Sequence, residues 1–182
     1  ILLFKKMFPE IVISIDTKDP NSIADEISMM KYDIGFIDRP VANEDTELTR
    51  ILEDNLFLIT SPENELADHL YFTAETLTNL EIIALGKNSM ERIIFEEYLI
   101  ENNISANIVC EVSSYHSLKS YVKSNLGCAI APKYIVNDEI TSGLLAAIPE
   151  KDNSIISRYY LINHKDKFFN KPLHVFREII LK

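Results

Sequence analysis

The residues of this chain that could hold a ligand are small, polar and placed at the ends of apolar runs. Thr17 follows Ile11-Val12-Ile13-Ser14-Ile15. Asp38 and Arg39 follow Ile34 to Ile37. Asn88 and Ser89 follow Leu80 to Leu85, and Ser113 and Ser114 follow Asn107 to Val112. Where a strand gives way to a helix, the helix amino terminus presents unpaired N–H groups and partial positive charge, which suits a carboxylate or another anion. Hydroxyls add donors and acceptors that rotate to fit. Arg39 at the mouth of such a site offers a carboxylate two parallel hydrogen bonds, and Arg92, one turn into the helix after Asn88, is a second cation for the same task. Each position also has a plainer reading. Asn88 and Ser114 are helix caps, Arg39 pairs with Asp38 at the surface, and His116, a side chain that titrates near neutrality, sits on a solvated helix face.

Patterns for other chemistry are missing. The chain has four glycines and no glycine-rich phosphate loop, G-x-S-x-G elbow or H-E-x-x-H pair. His69, His116, His164 and His174 lack metal-ligand spacing, as do Cys110 and Cys128. No metal, cofactor or catalytic residue is expected, and both cysteines read as free thiols inside apolar strands. Eighteen basic side chains against 28 acidic ones give a formal charge of −10. A nucleic-acid-binding face is basic, so direct DNA contact by these residues is not expected. No apolar run reaches membrane-span length and the first residues do not form a signal peptide, so a cytoplasmic setting is expected.

These side chains need elements to position them, and 182 residues with 47% apolar content allow one large domain or two small lobes. Ile1 to Met7 reads as the end of a helix, and Ile11 to Ile15 as a β-branched strand. A helix opens at Asp19-Pro20-Asn21-Ser22, with Ser22 and Asp25 as its capping pair and Ile23, Ile27 and Met30 as its inner stripe. Leu48 to Leu52 and Leu56 to Thr60 read as two strands separated by Glu53-Asp54-Asn55. From Leu80 to Pro132 the order is βαβαβ, which right-handed crossovers turn into a parallel sheet with helices on its faces. Within it Asn88 and Glu91 are spaced as a capping pair. Met90, Ile94 and Tyr98 line one helix, and Leu118, Tyr121 and Val122 the next. A helical turn near Tyr134, strands at Leu144 to Ile148 and Tyr159 to Ile162, and a helix from Asn170 with Leu173, Phe176 and Ile180 inward complete the order.

With the elements placed, the chain resembles the effector-binding region of LysR-type transcriptional regulators. Phe4 to Ile11 is similar to the family's F-x-x-x-[YF]-P-x-[IV] segment. Ser22 to Pro40 resembles the helix and strand written L-x-x-G-x-[LY]-D-[LI]-[AG]-[IF]. Leu56 to Pro62 with Leu66-Ala67 resembles L-x-L-[VI]-x-x-x-x-H-P-L-A. Asn88 to Arg92 falls where many members have G-S-x-T-R, and Leu118 to Pro132 matches [IL]-x-x-[LYM]-V-x-x-G-x-G-[IV]-x-x-x-P, with Asn125 in place of the first glycine of that motif.

The resemblance implies an α/β fold of two open-sheet lobes with an interlobe cleft, of the periplasmic-binding-protein type II kind. The lobes expected are residues 1–60 with 160–182, and residues 61–159. The chain opens inside a helix, so the first strand of its lobe and a helix-turn-helix domain are expected upstream of it. The function implied is a sensor of a small anionic metabolite, bound between the lobes by Thr17, Asp38, Arg39, Asn88, Ser89, Arg92, Ser113 and Ser114. A side-by-side homodimer or homotetramer is implied, with DNA reached only through the upstream domain. A solute-binding protein of a transport system shares this fold and is the alternative; an enzyme on the same fold would have only Asp38 or His116 as its acid or base.

Overall fold

A computed structural model describes residues 1–181. The chain divides into two compact units, Ile1–Leu52 with Arg158–Lys182, and Glu53–Ser157.

The first unit is built on two helical contacts and a short ladder. Helix α1 (Leu2–Met7) buries Phe4, whose ring lies 5.1 Å from that of Phe176 on the C-terminal helix. The expected strand Ile11 to Ile15 is irregular backbone, with Val12 and Ile15 exposed. β-branched residues favour a pleated surface, but a strand also needs a partner, and no described strand pairs with this one. Helix α2 (Pro20–Ser28) is capped by Asp19 rather than Ser22. The Asp19 carboxylate accepts the N–H groups of Asn21 and Ser22, both at 3.1 Å, and the Ser22 hydroxyl first, then these N–H donors, hold it below the usual carboxylate range. Ala24 and Ile27 are buried, whereas Met30 lies beyond the helix end at φ +55° and is half exposed. A β-carbon on Gly35 would meet Ile23 and Ile162 at 2.6 and 2.8 Å, so the glycine in β1 (Gly35–Ile37) lets α2 lie close to the strands.

The expected pair of strands around Glu53-Asp54-Asn55 is one continuous strand, β2 (Thr46–Thr60). Polar residues do not break an extended segment whose backbone is paired on both sides of them. The Lys165 N–H donates to the Asp45 carbonyl and the Leu56 N–H to the Ile155 carbonyl. In the second unit, β3 (Glu81–Leu85) runs parallel to β4 (Asn107–Val112). Strand β5 (Ala129–Pro132) and β6 (Ala146–Pro149) both lie antiparallel to the second half of β2, so Leu58 faces Ile130 on one side and Ile148 on the other. With β7 (Ile156–His164) paired to β1, the strand order is β1-β7-β2-β5. The order βαβαβ stands as expected. Strand β5 touches β3 through the parallel bridge Ile82 to Cys128, and the Cys128 N–H donates to the Glu81 carbonyl at 2.8 Å. A β-carbon on Gly127 would sit 2.6 Å from that carbonyl, which is why a glycine precedes the strand. Asn125 has φ +55°, the left-handed region that asparagine tolerates, at the place where the family pattern has glycine.

Helices α3 (Ala74–Leu77), α4 (Met90–Glu101), α5 (Tyr115–Lys123) and α6 (Lys133–Thr141) cover this sheet, and α7 (Lys171–Ile180) closes the chain. Strand alternation sorts the core in two. Leu58 and Ile82 join Phe72, Leu77 and Phe95 on one side; Ile59 and Ile83 join Leu118, Val122 and Val136 on the other. Tyr121, expected inward, is largely exposed, and Leu173, Phe176 and Ile180 of α7 are only half-buried. The helical turn near Tyr134 extends into the nine residues of α6. Cys128 is buried, Cys110 half-buried, and both are free; burial pushes the Cys128 thiol up.

One buried polar group stands apart from the apolar core. A single oxygen of Glu150 accepts the Asp152 N–H, the Ser154 N–H and the Ser154 hydroxyl at 3.0, 2.8 and 3.0 Å, while its other oxygen lies 3.4 Å from the Tyr98 hydroxyl. Burial first, and then the Glu150 charge, push the Tyr98 phenol up to about 12. From pH 10 to 12 the unfolded tyrosine loses its proton before the folded one. The unfolded state then binds fewer protons, so stability falls as pH rises. Urea unfolding at pH 9 and 11 should show a loss smaller by about 1 kcal/mol in Tyr98→Phe than in the native chain. Equal losses would mean the phenol ionises alike in both states.

No described helix is long and apolar enough to cross a membrane. Among the described residues no group of histidine, cysteine, aspartate and glutamate is arranged to hold a metal ion.

Candidate functional site

The carboxyl ends of β3 and β4 lie side by side, with Leu85 opposite Val112. Each strand leads within a few residues into a helix. After β3 the chain turns tightly, as the Gly86 N–H donates to the Val112 carbonyl (3.0 Å) and the Ser89 N–H to the Gly86 carbonyl (2.9 Å). Ser89, not Asn88, caps α4, its Oγ accepting the Arg92 N–H at 3.2 Å. After β4, Ser113 precedes Ser114, which caps α5 by accepting the Ser117 N–H at 3.2 Å. Parallel pairing of the strands therefore sets two helix amino termini next to each other, with Asn88, Ser89, Ser113 and Ser114 along one edge of the second unit. Asn88, Ser113 and Ser114 are exposed and Ser89 half-buried. The arrangement can offer backbone N–H groups and hydroxyls to an anion or to a hydroxylated molecule.

Arg92 has a different role from the one expected. Its side chain is 5% exposed, and its Nε donates to Glu96 at 2.7 Å. Its Nη1 donates to the Leu85 carbonyl at 3.3 Å and lies 3.7 Å from Glu111. The guanidinium thus ties the first turn of α4 to the ends of both strands. A planar fork buried over three elements is spent on positioning rather than on gripping a ligand.

Thr17, Asp38 and Arg39 belong to the first unit. Thr17 is exposed on irregular backbone. Asp38 and Arg39 follow β1 and lie 4.0 Å apart, each about a third exposed, the geometry of a surface pair. His116 is exposed on the first turn of α5.

Two groups that matter to this edge were not singled out by sequence reading. The Asp54 carboxylate, in mid-strand, accepts the Tyr134 N–H at 2.9 Å and so occupies the start of α6, which has no side-chain cap of its own. Lys119 donates to the Ile135 carbonyl and pairs with Glu139 at 2.8 Å, joining α5 to α6, and that bond holds the Glu139 carboxyl below its usual range. The Asp54 contact spans 80 positions of sequence, and no local pattern announces it.

Parallel strands that each lead into a capped helix define an α/β domain, and comparison with known proteins narrows the class. The model of the LysR substrate binding domain matches residues 1–182, and the chain belongs to that family. It is 27% identical over 164 residues to the HTH-type transcriptional activator CmpR of Synechocystis, covering 90% of this chain and 54% of that protein. The chain thus spans about half the length of the curated relatives it matches. The fold matches the regulatory domain of Synechocystis CcmR solved in complex with 2-PG, with a TM-score of 0.84, 17% identity, and 98% of this chain and 86% of that one covered. It also matches the effector-binding domain of QuiR solved with shikimate, with a TM-score of 0.79, 18% identity, and 99% and 86% covered. These are effector-binding domains of the type II periplasmic-binding-like fold, as expected from the sequence, and the relatives are named as transcriptional regulators rather than as transport proteins or enzymes.

Proposed function

We propose that this chain is the ligand-sensing region of a LysR-type transcriptional regulator. It binds a small anionic metabolite and thereby alters how an attached DNA-binding domain engages DNA. The observation that carries the proposal is the pair of helix amino termini, capped by Ser89 and Ser114, at adjacent parallel strand ends. Asn88 and Ser113 complete this edge, and Thr17, Asp38 and Arg39 are further contacts on the first unit. Arg92 serves by position. The reading includes a cytoplasmic setting, a homodimer or homotetramer, and DNA contact only through a domain outside this chain. A regulator needs its effector to bind one arrangement of the molecule better than another.

A thermal-shift screen with amino acids, keto acids, sulfur metabolites, 2-PG and shikimate tests the proposal, because a ligand that binds only the folded state raises the melting temperature. With the ligand found, Ser89→Gly and Ser114→Gly should each weaken binding about tenfold, the worth of one charge-assisted hydrogen bond. Glycine costs a cap only a few tenths of a kcal/mol, so both variants should stay folded. Calorimetry giving native affinity for both would remove these residues from the site.

A further inference from the structure

Glu150 is a buried carboxylate whose two oxygens serve different parts of the second unit. One oxygen closes the turn at residues 151–154 by accepting the Asp152 and Ser154 N–H groups and the Ser154 hydroxyl. The other accepts the Tyr98 hydroxyl of α4 at 3.4 Å. Tyr98 and Glu150 are 8% and 5% exposed, so this bond is shielded from water. Otherwise Phe95, Tyr98 and Leu99 of α4 share an apolar cluster with Phe72 and Ile155. Apolar burial has no preferred direction, whereas a hydrogen bond sets a distance and an angle. A carboxylate is planar and rigid, so what one oxygen holds is kept in register with what the other holds. Arg92 fastens the opposite end of the helix to Leu85 and Glu111, and Tyr98 lies about 13 Å along α4 from the Ser89 cap. The turn that Glu150 closes leads to Ile155, whose carbonyl accepts the Leu56 N–H at 2.8 Å, and from there into β7.

We infer that the bond between Tyr98 and Glu150 is a conformational joint, which makes α4 and the turn at residues 151–154 open and shift together, so that a displacement of α4 reaches the entry to β7. Its regulatory use rests on the ligand-sensing reading above, in which α4 is a helix that an effector would move. The hydroxyl of Tyr98 supplies the coupling rather than its ring. Phenylalanine therefore keeps the packing and removes the joint.

Amide hydrogen exchange of the free chain, followed by NMR, reads the joint without a ligand. Glu97 is exposed on α4, and Glu97→Gly should speed exchange of the α4 amides about fivefold, the effect of glycine in an exposed helix interior. With Tyr98 in place, the Asp152 and Ser154 amides should speed up by the same factor. In Tyr98→Phe the glycine should still speed the α4 amides and leave those of Asp152 and Ser154 unchanged. Ile100→Gly repeats the perturbation at a second exposed position of α4 should Glu97→Gly disturb folding. No response of the Asp152 and Ser154 amides in the native background overturns the inference. An equal response with and without the hydroxyl also overturns it, since apolar packing or global unfolding would then carry the coupling. The ligand-sensing reading fails separately, if no metabolite stabilises the native chain, and the exchange result still decides the joint.

Discussion

Glu150→Ala should lower the unfolding free energy by about 3 kcal/mol, because the substitution removes the buried carboxylate that serves several donors at once. In the native chain one carboxylate oxygen serves two backbone N–H groups and a hydroxyl, closing the turn at residues 151–154. The same turn anchors Phe72, whose N–H donates to the Pro149 carbonyl and whose carbonyl accepts the Lys151 N–H. Phe72 is fully buried in the larger apolar cluster of the second unit, so a loosened turn opens that cluster. Bonds to an ionised acceptor are worth about 1.5–3 kcal/mol each, but four partners of one group do not add, so the total stays near that of two. Glu150→Gln keeps an acceptor of the same shape and should lose about 1 kcal/mol. Urea unfolding with an unchanged m-value measures both. A loss below 0.5 kcal/mol (roughly the size of an ordinary surface substitution) in the alanine variant would show that water replaces the carboxylate without cost.

Arg92→Ala should cost about 2 kcal/mol of stability and, beyond that, disturb the effector edge. Removing one member of a fully buried ion pair costs about 3–5 kcal/mol because the remaining charge is stranded. Here the partners Glu96 and Glu111 are 43% and 48% exposed and hydrate once the guanidinium is gone, which places the loss below that range. The Leu85 carbonyl also loses a donor, and β3, β4 and α4 lose their common tie. Lysine restores the charge without the fork and should recover less than half of the loss. Effector affinity in Arg92→Ala, measured where the variant is still folded, should fall because Ser89 and Ser114 are no longer held in register. Native affinity at reduced stability would confine Arg92 to the fold alone.

Much of the second unit was readable as pattern. The βαβαβ order from Leu80 to Pro132, the helix starts at Ser89 and Ser114 to within one residue, and the free cysteines all follow from local signals: apolar periodicity, capping residues and spacing. The misreadings share one cause, the competition between local preference and distant partners. Ser22 has the spacing of a cap, yet Asp19 reaches two N–H groups from one position earlier than proline allows the helix to begin. Ile11 to Ile15 has strand composition and no described partner, and Glu53-Asp54-Asn55 has loop composition and pairs on both sides. Arg92 has the type and place of an anion ligand, but Glu96 on its own helix and Leu85 and Glu111 on the two strands engage it.

Residue order alone carried the family, the succession of elements and the class of groups offered to a ligand, because periodicity, caps and motif spacing act over a few positions. Which of those groups are engaged internally was decided by contacts that residue order does not show, several of them between segments far apart in the chain. Asp54 at the start of α6, Glu111 beside Arg92 and Glu150 beneath Tyr98 are such contacts. A carboxylate or guanidinium acts through its charge and its hydrogen-bond partners within a few ångströms, and chain folding, rather than sequence proximity, brings those partners together.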